Sequence, residues 1–176
     1  MFLIGLTLPV HAAEWCSVGD NAFSFEATFE GAASPGQFKR FSVRLDFEPI
    51  NPVAGRLRVT VDLRETDMGD PDMNAVLFDP AWFDVGRFSE AVYESDNLSQ
   101  TSPGKYVATG TLMLKGINKT IDVPFAWTEL DDNASMQGQF AMRRTDFDVG
   151  SGEWAADDAI GVDVSLAFAV QLQRCE

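Results

Sequence analysis

Apolar and polar residues alternate one by one along most of this chain. The longest run sets Val162, Val164, Leu166, Phe168, Val170 and Leu172 against Asp163, Ser165, Ala167, Ala169 and Gln171, the period of a β-strand with one apolar face. Between Gly110 and Trp127, Leu112 and Leu114 precede a Gly116-Ile117-Asn118-Lys119 segment, and Ile121, Val123, Phe125 and Trp127 follow it. This predicts a β-hairpin turning at 116–119, with Asn118 as turn former. Nearer the start, Phe23, Phe25, Ala27 and Phe29 alternate, Ser34-Pro35-Gly36 reads as a turn, and Phe41, Val43, Leu45 and Phe47 alternate again. A third strand follows past 49–55 on Leu57, Val59, Val61 and Leu63, antiparallel to the second. Shorter stretches at 91–95, 106–114 and 136–142 bring the number to about eight. An up-and-down series with turn signals at near-regular intervals predicts an all-β closed antiparallel barrel rather than a two-sheet sandwich.

The alternation fails only over 65–88. There Asp70-Pro71-Asp72-Met73 has the form of a capped helix start, and Trp82, Phe83, Val85 and Phe88 follow in a loop. So apolar an insertion has to lie over a hydrophobic surface, which makes it a lid.

With 176 residues the chain fits one domain with a full core. Its formal charge of −14 argues against nucleic acid and anionic lipid surfaces as partners, since both repel it at long range. The apolar run from Phe2 to Val10 and the small residues of Val10-His11-Ala12 predict an export leader cleaved after Ala12. That leader lacks a Lys/Arg-rich start and reads as truncated at its beginning, with the barrel domain occupying 13–176. His11 is the only histidine, so a cleaved chain would have no His triad, no His metal ligand and no His general base. Two cysteines in an exported chain predict a bridge between Cys16 and Cys175, because the first and last strands of a closed barrel are neighbours.

Candidate chemistry is sparse. The Asp pairs at 70/72, 131/132, 146/148 and 157/158 do not fit the calcium-loop pattern and read as solvated turns and caps, with no metal expected. Phosphate-binding glycine loops and a Gly-x-Ser-x-Gly elbow are absent from the sequence. Arg144 shares the inward parity of Phe140 and Met142, where it could meet a polar head group or pair with Asp146; the ion pair is the better supported. The aromatic residues of the inward faces could fill an eight-stranded barrel or line a bore for one slender ligand.

Four separated blocks resemble the YceI-like family of lipocalin-like, polyisoprenoid-binding periplasmic proteins. They are Gly36-Gln37-Phe38 with Phe41 and Asp46-Phe47-Glu48-Pro49; Asp79-Pro80-Ala81-Trp82-Phe83-Asp84-Val85; Gly110 to Gly116 with Lys119; and Arg144-Thr145-Asp146-Phe147-Asp148-Val149-Gly150. The Pro124 to Trp127 and Val149 to Trp154 segments look like the branch often found beside membrane b-type cytochromes. The resemblance implies a non-catalytic carrier whose tunnel holds an isoprenoid lipid, a quinone or a polyprenyl pyrophosphate, with no other cofactor. Its alternatives are an accessory role beside such a cytochrome and an isoprenoid-modifying enzyme, and a homodimer is compatible with either. By parity, the lipid should meet Phe25 and Phe29, then Phe41, Leu45 and Phe47, then Val59 and Tyr93 on successive strands. Leu112 and Leu114, Phe125 and Trp127, Phe140 and Met142, and Val164, Leu166 and Phe168 should continue the wall. The lid would add Trp82, Phe83 and Phe88, and the last block Phe147, with Arg144 as head-group contact.

Overall fold

The computed structural model describes residues 13–156 and 159–175, so the expected leader and its cleavage point lie outside the described residues. Its alternating segments form β1 (Glu14–Ser17), β2 (Ala22–Phe29), β3 (Ala32–Phe38), β4 (Phe41–Asp46), β5 (Arg56–Asp62), β6 (Thr66–Asp67), β7 (Glu90–Ser102), β8 (Lys105–Leu114), β9 (Ile117–Leu130), β10 (Asn133–Arg143) and β11 (Asp163–Arg174). All pairings are antiparallel, and the sheet closes because β1 pairs with both β4 and β11. The closed ring holds eight strands, β1, β4, β5, β7, β8, β9, β10 and β11.

β1 and β2 both pair along β11, Ser17 opposite Leu172 and Ala22 opposite Ala169, so they act as one strand broken at 18–21. The same holds for β3 and β4 on their far side. β1 meets β4 at one end of the barrel, and β2 meets β3 at the other. The ring is therefore tight at the first end and wider at the second.

Two turns differ from the sequence expectation. The first hairpin turns at Glu30 and Gly31, both at positive φ, and Ser34-Pro35-Gly36 lie inside β3. Pro35 is tolerated there because the outer edge of β3 is paired only at Gln37 and Phe38, by β6. In the other hairpin, Leu114 faces Ile117 across Lys115-Gly116, again both at positive φ, so Asn118 and Lys119 belong to β9. Two consecutive left-handed residues match the right-handed twist of the strands, and that geometry decides the turn.

The tight end is a solid plug. Trp15, Leu45, Phe47 and Leu98 have no solvent exposure at all. The Phe47 ring stands edge-on to Tyr106 at 4.9 Å and to Trp127 at 5.0 Å, and Phe125 stacks on Tyr106 at 5.5 Å. Trp15 Nε1 donates to the Phe47 carbonyl, and the Arg174 guanidinium lies 3.9 Å above the Trp15 ring. Cys16 and Cys175 form the expected disulfide beside this plug, joining positions 159 residues apart.

Between β9 and β10 the ladder is incomplete. Ala126–Leu130 pair with Asn133–Gln137, and no pairing continues past them toward the wide end. Pro124 stands at the point of divergence, where its carbonyl would lie 2.2 Å from a side-chain carbon placed on Gly138. Proline has no N–H to continue the ladder, and glycine permits the close approach.

Candidate functional site

Above the plug the barrel is hollow. A cavity of about 520 Å³ is lined by Phe23, Phe25, Phe38 and Phe41, by Val59, Tyr93, Leu112 and Leu114, and by Ile121, Phe140, Met142, Val164, Leu166 and Phe168. Val43, Leu57, Val123, Met136 and Val170 form its floor against the plug. Phe29, Met73 and Val76 lie on the wall and are exposed, so the cavity reaches the surface between the β2–β3 hairpin tip and the lid helix.

Two segments cover the wide end. The first is the expected lid. Its helix α1 (Pro71–Phe78) starts where Asp70 accepts hydrogen bonds from the amides of Asp72 and Met73, with Pro71 in the first turn. The chain then folds back, Phe83 N donating to the Leu77 carbonyl at 2.9 Å and Trp82 N to the Asp79 carbonyl at 2.9 Å, which turns Trp82 and Phe83 onto the cavity. Asp67 ties this lid to β3. Its carboxylate pairs with Lys39 and accepts from Asn74 Nδ2 and Gly69 N, and these contacts, Lys39 foremost, hold it well below the usual carboxylate range.

The second cover follows β10 and was not anticipated. Arg144 is buried, and its guanidinium donates from Nε to the Gly161 carbonyl, from Nη1 to those of Val149 and Gly150, and from Nη2 to those of Ala156 and Ile160. It thereby gathers the connection around itself and brings Val149, Trp154 and Ile160 onto the cavity wall. Ser151 N donates to the Ala81 carbonyl at 2.8 Å, joining the two covers. Asp146 is not among the described partners of Arg144, so the expected pair with Asp146 is not found there, and a head group would meet an arginine whose described donors are directed to backbone carbonyls.

Polar groups on the wall are otherwise few. Tyr93 donates its hydroxyl to the Ala108 carbonyl at 2.8 Å, and burial pushes its phenol far above the ordinary value. Among the described residues, the one grouping with metal-ligand geometry is Glu14, Cys16 and Cys175, whose sulfurs are joined to each other and cannot act as thiolates.

The sequence-predicted contacts divide by height. Phe25, Phe29, Phe41, Val59, Trp82, Phe83, Tyr93, Leu112, Leu114, Phe140, Met142, Val164, Leu166 and Phe168 do line the cavity. Leu45, Phe47, Phe125 and Trp127 face inward as expected but belong to the plug, where neighbouring rings fill the space. Phe147 is fully buried in the core beneath the covers. Phe88 packs against the β8–β9 turn, leaving 3.0 Å to a side-chain carbon placed on Gly116, with the Arg87 guanidinium 5.0 Å from its ring. Phe23, Phe38 and Ile121 on the wall, and Val43, Leu57, Val123, Met136 and Val170 on the floor, were missed, although all but Phe38 share the parity of residues that were expected.

A family model for the YceI-like domain matches residues 19–172. The chain belongs to the YceI-like family. Among solved structures, this YceI-like chain is similar to Burkholderia cenocepacia BcnA, with a TM-score of 0.82 and 26% identity over 86% of this chain and 95% of that one. A polyisoprenoid binding domain from Saccharophagus degradans, implicated in plant cell wall breakdown, superposes with a TM-score of 0.75 at 15% identity, over 94% of this chain and all of that one. Among curated relatives, a UPF0312 protein of Vibrio campbellii is 28% identical over 120 residues, 65% of this chain. The match spans 64% of that relative's length. A UPF0312 protein of Ectopseudomonas mendocina is 23% identical over 137 residues, 74% of this chain and 72% of that protein.

Proposed function

We propose that this protein is a periplasmic carrier that holds an isoprenoid lipid, quinone or polyprenyl in type, without acting on it chemically. The observation that carries the reading is the hollow upper barrel, a lidded cavity of about 520 Å³ walled by Phe, Leu, Val and Met side chains and reaching the surface at one end. Pockets of this size and character take small apolar ligands, and the barrel shape favours a slender one. Each isoprene unit placed there would contribute roughly 2 to 4 kcal/mol, before the ordering of the chain is deducted. The name of the Saccharophagus relative, a polyisoprenoid binding domain, supports the same ligand class. The Cys16–Cys175 disulfide supports an oxidising compartment.

Organic extraction of protein purified from the periplasm, followed by mass spectrometry, tests the proposal. An isoprenoid recovered in stoichiometric amount is the expected result, and a quinone among the products would favour the role beside a membrane b-type cytochrome. Protein that yields no lipid and takes none up on incubation would refute the carrier reading.

A further inference from the structure

One residue of the cavity wall carries a fully buried hydrogen-bond donor for which the described protein supplies no acceptor. Trp82 lines the cavity and is 8% exposed, and its Nε1–H is buried without a hydrogen-bond partner, alone in this among the described side chains. Buried indole N–H groups ordinarily find an acceptor, because withdrawing one from water without replacement is unfavourable. The other buried polar groups of the wall are served internally, Tyr93 by the Ala108 carbonyl and Arg144 by the carbonyls of Val149, Gly150, Ala156, Ile160 and Gly161. Thr28 and Asp72 are exposed at the mouth.

The position of Trp82 gives this donor a meaning. Its ring lies in the lid, 5.7 Å from the Arg144 guanidinium carbon and 6.2 Å from the Trp154 ring, at the wide end and opposite the plug. We propose that Trp82 Nε1–H binds a neutral oxygen of the lipid, a carbonyl, hydroxyl or ether, so that the hydrocarbon tail points toward the plug and the oxygenated end sits under the lid. This assignment rests on the lipid-carrier reading and narrows it. A diphosphate suits the place poorly, since the Arg144 N–H groups are directed to backbone carbonyls and the Asp72 carboxylate stands at the mouth. Nε1 is shielded in this arrangement, so contact takes a turn of the indole toward the bore as the lipid seats.

Three probes separate the outcomes when offered by calorimetry to the delipidated, disulfide-bonded protein: a short-chain ubiquinone, squalene and geranylgeranyl diphosphate. Trp82→Phe should weaken ubiquinone about tenfold and leave squalene, a hydrocarbon with no oxygen, nearly unchanged. In wild-type protein labelled with nitrogen-15, the Trp82 indole resonance should move downfield with ubiquinone and stay in place with squalene, a readout that does not depend on the variant folding. Equal weakening of both lipids, or an indole resonance indifferent to ubiquinone, would overturn the assignment while the carrier reading stands. Diphosphate binding tighter than ubiquinone and lost in Trp82→Phe would overturn the neutral-oxygen claim. Wild-type protein that binds neither neutral lipid would remove the carrier reading and this inference together.

Discussion

Val164 and Asp163 are adjacent in β11 and face opposite sides of it, Val164 toward the cavity and Asp163 toward water. Val164→Asp would set a carboxylate against hydrocarbon, where it either takes up a proton or displaces the lipid, so lipid retention should fall sharply. Asp163→Ala removes an exposed group and should change stability by no more than about 0.5 kcal/mol, with retention intact. Mass spectrometry of lipid co-purified with each variant decides the matter, and similar losses from both would be incompatible with this register. Inward and outward positions were legible because the side-chain period of a strand is two and each strand keeps one apolar face. Height within the barrel was not. Leu45 and Phe41 have the same parity on β4, yet one fills the plug and the other lines the cavity, because height depends on how the strands are tilted and staggered about the ring.

At the scale of elements, the lid is held to the barrel by polar contacts that depend on ionisation. Asp67, paired first with Lys39 and then bonded to Asn74 of α1, has a lowered pKa. A carboxylate lowered in the folded state contributes stability that is complete above its unfolded value, about 3.9, and is lost as pH falls through the folded value. Asp67→Asn should therefore lower the melting temperature at neutral pH, and the gap from wild type should close in strong acid. Melts recorded across that range test the sign, and a gap that stayed constant would rule the linkage out. The helix of this lid was readable from Asp70-Pro71, whose side-chain cap and fixed φ are local signals. The second cover was not, because Val149, Gly150, Ala156, Ile160 and Gly161 are gathered by donation from Arg144 to their carbonyls, five to seventeen residues on, and follow no period of two. Glu30-Gly31 was passed over as a turn for a related reason: glutamate at φ 48° is an unusual occupant, and Pro35-Gly36 offered a stronger local cue.

For the whole molecule, the Cys16–Cys175 bond closes a loop of 159 residues beside the plug. In the chain-entropy description a loop of that length stabilises by roughly 5 kcal/mol, mainly by restricting the unfolded chain. Reduction should lower the melting temperature substantially while the far-ultraviolet sheet signal at room temperature persists, and alkylation before reduction should detect no free thiol. An unchanged melt after reduction would contradict that contribution. The unfinished seam between β9 and β10 bears on the mechanics of the same barrel. A hoop whose hydrogen-bond ladder is complete resists radial stretching, because widening it anywhere breaks bonds, and the plug end is such a hoop. Toward the lid, the ladder between β9 and β10 stops past Pro124 and Gly138, where side-chain contacts, among them Lys115 Nζ donating to the Asp148 carbonyl, take over from it, and the outer edge of β3 is unpaired before Gln37. The barrel is thus a sleeve stiff at its base, with two seams open near its mouth, one past Pro124 and one along the outer edge of β3, where it can yield to guests of unequal girth while the plug keeps its shape.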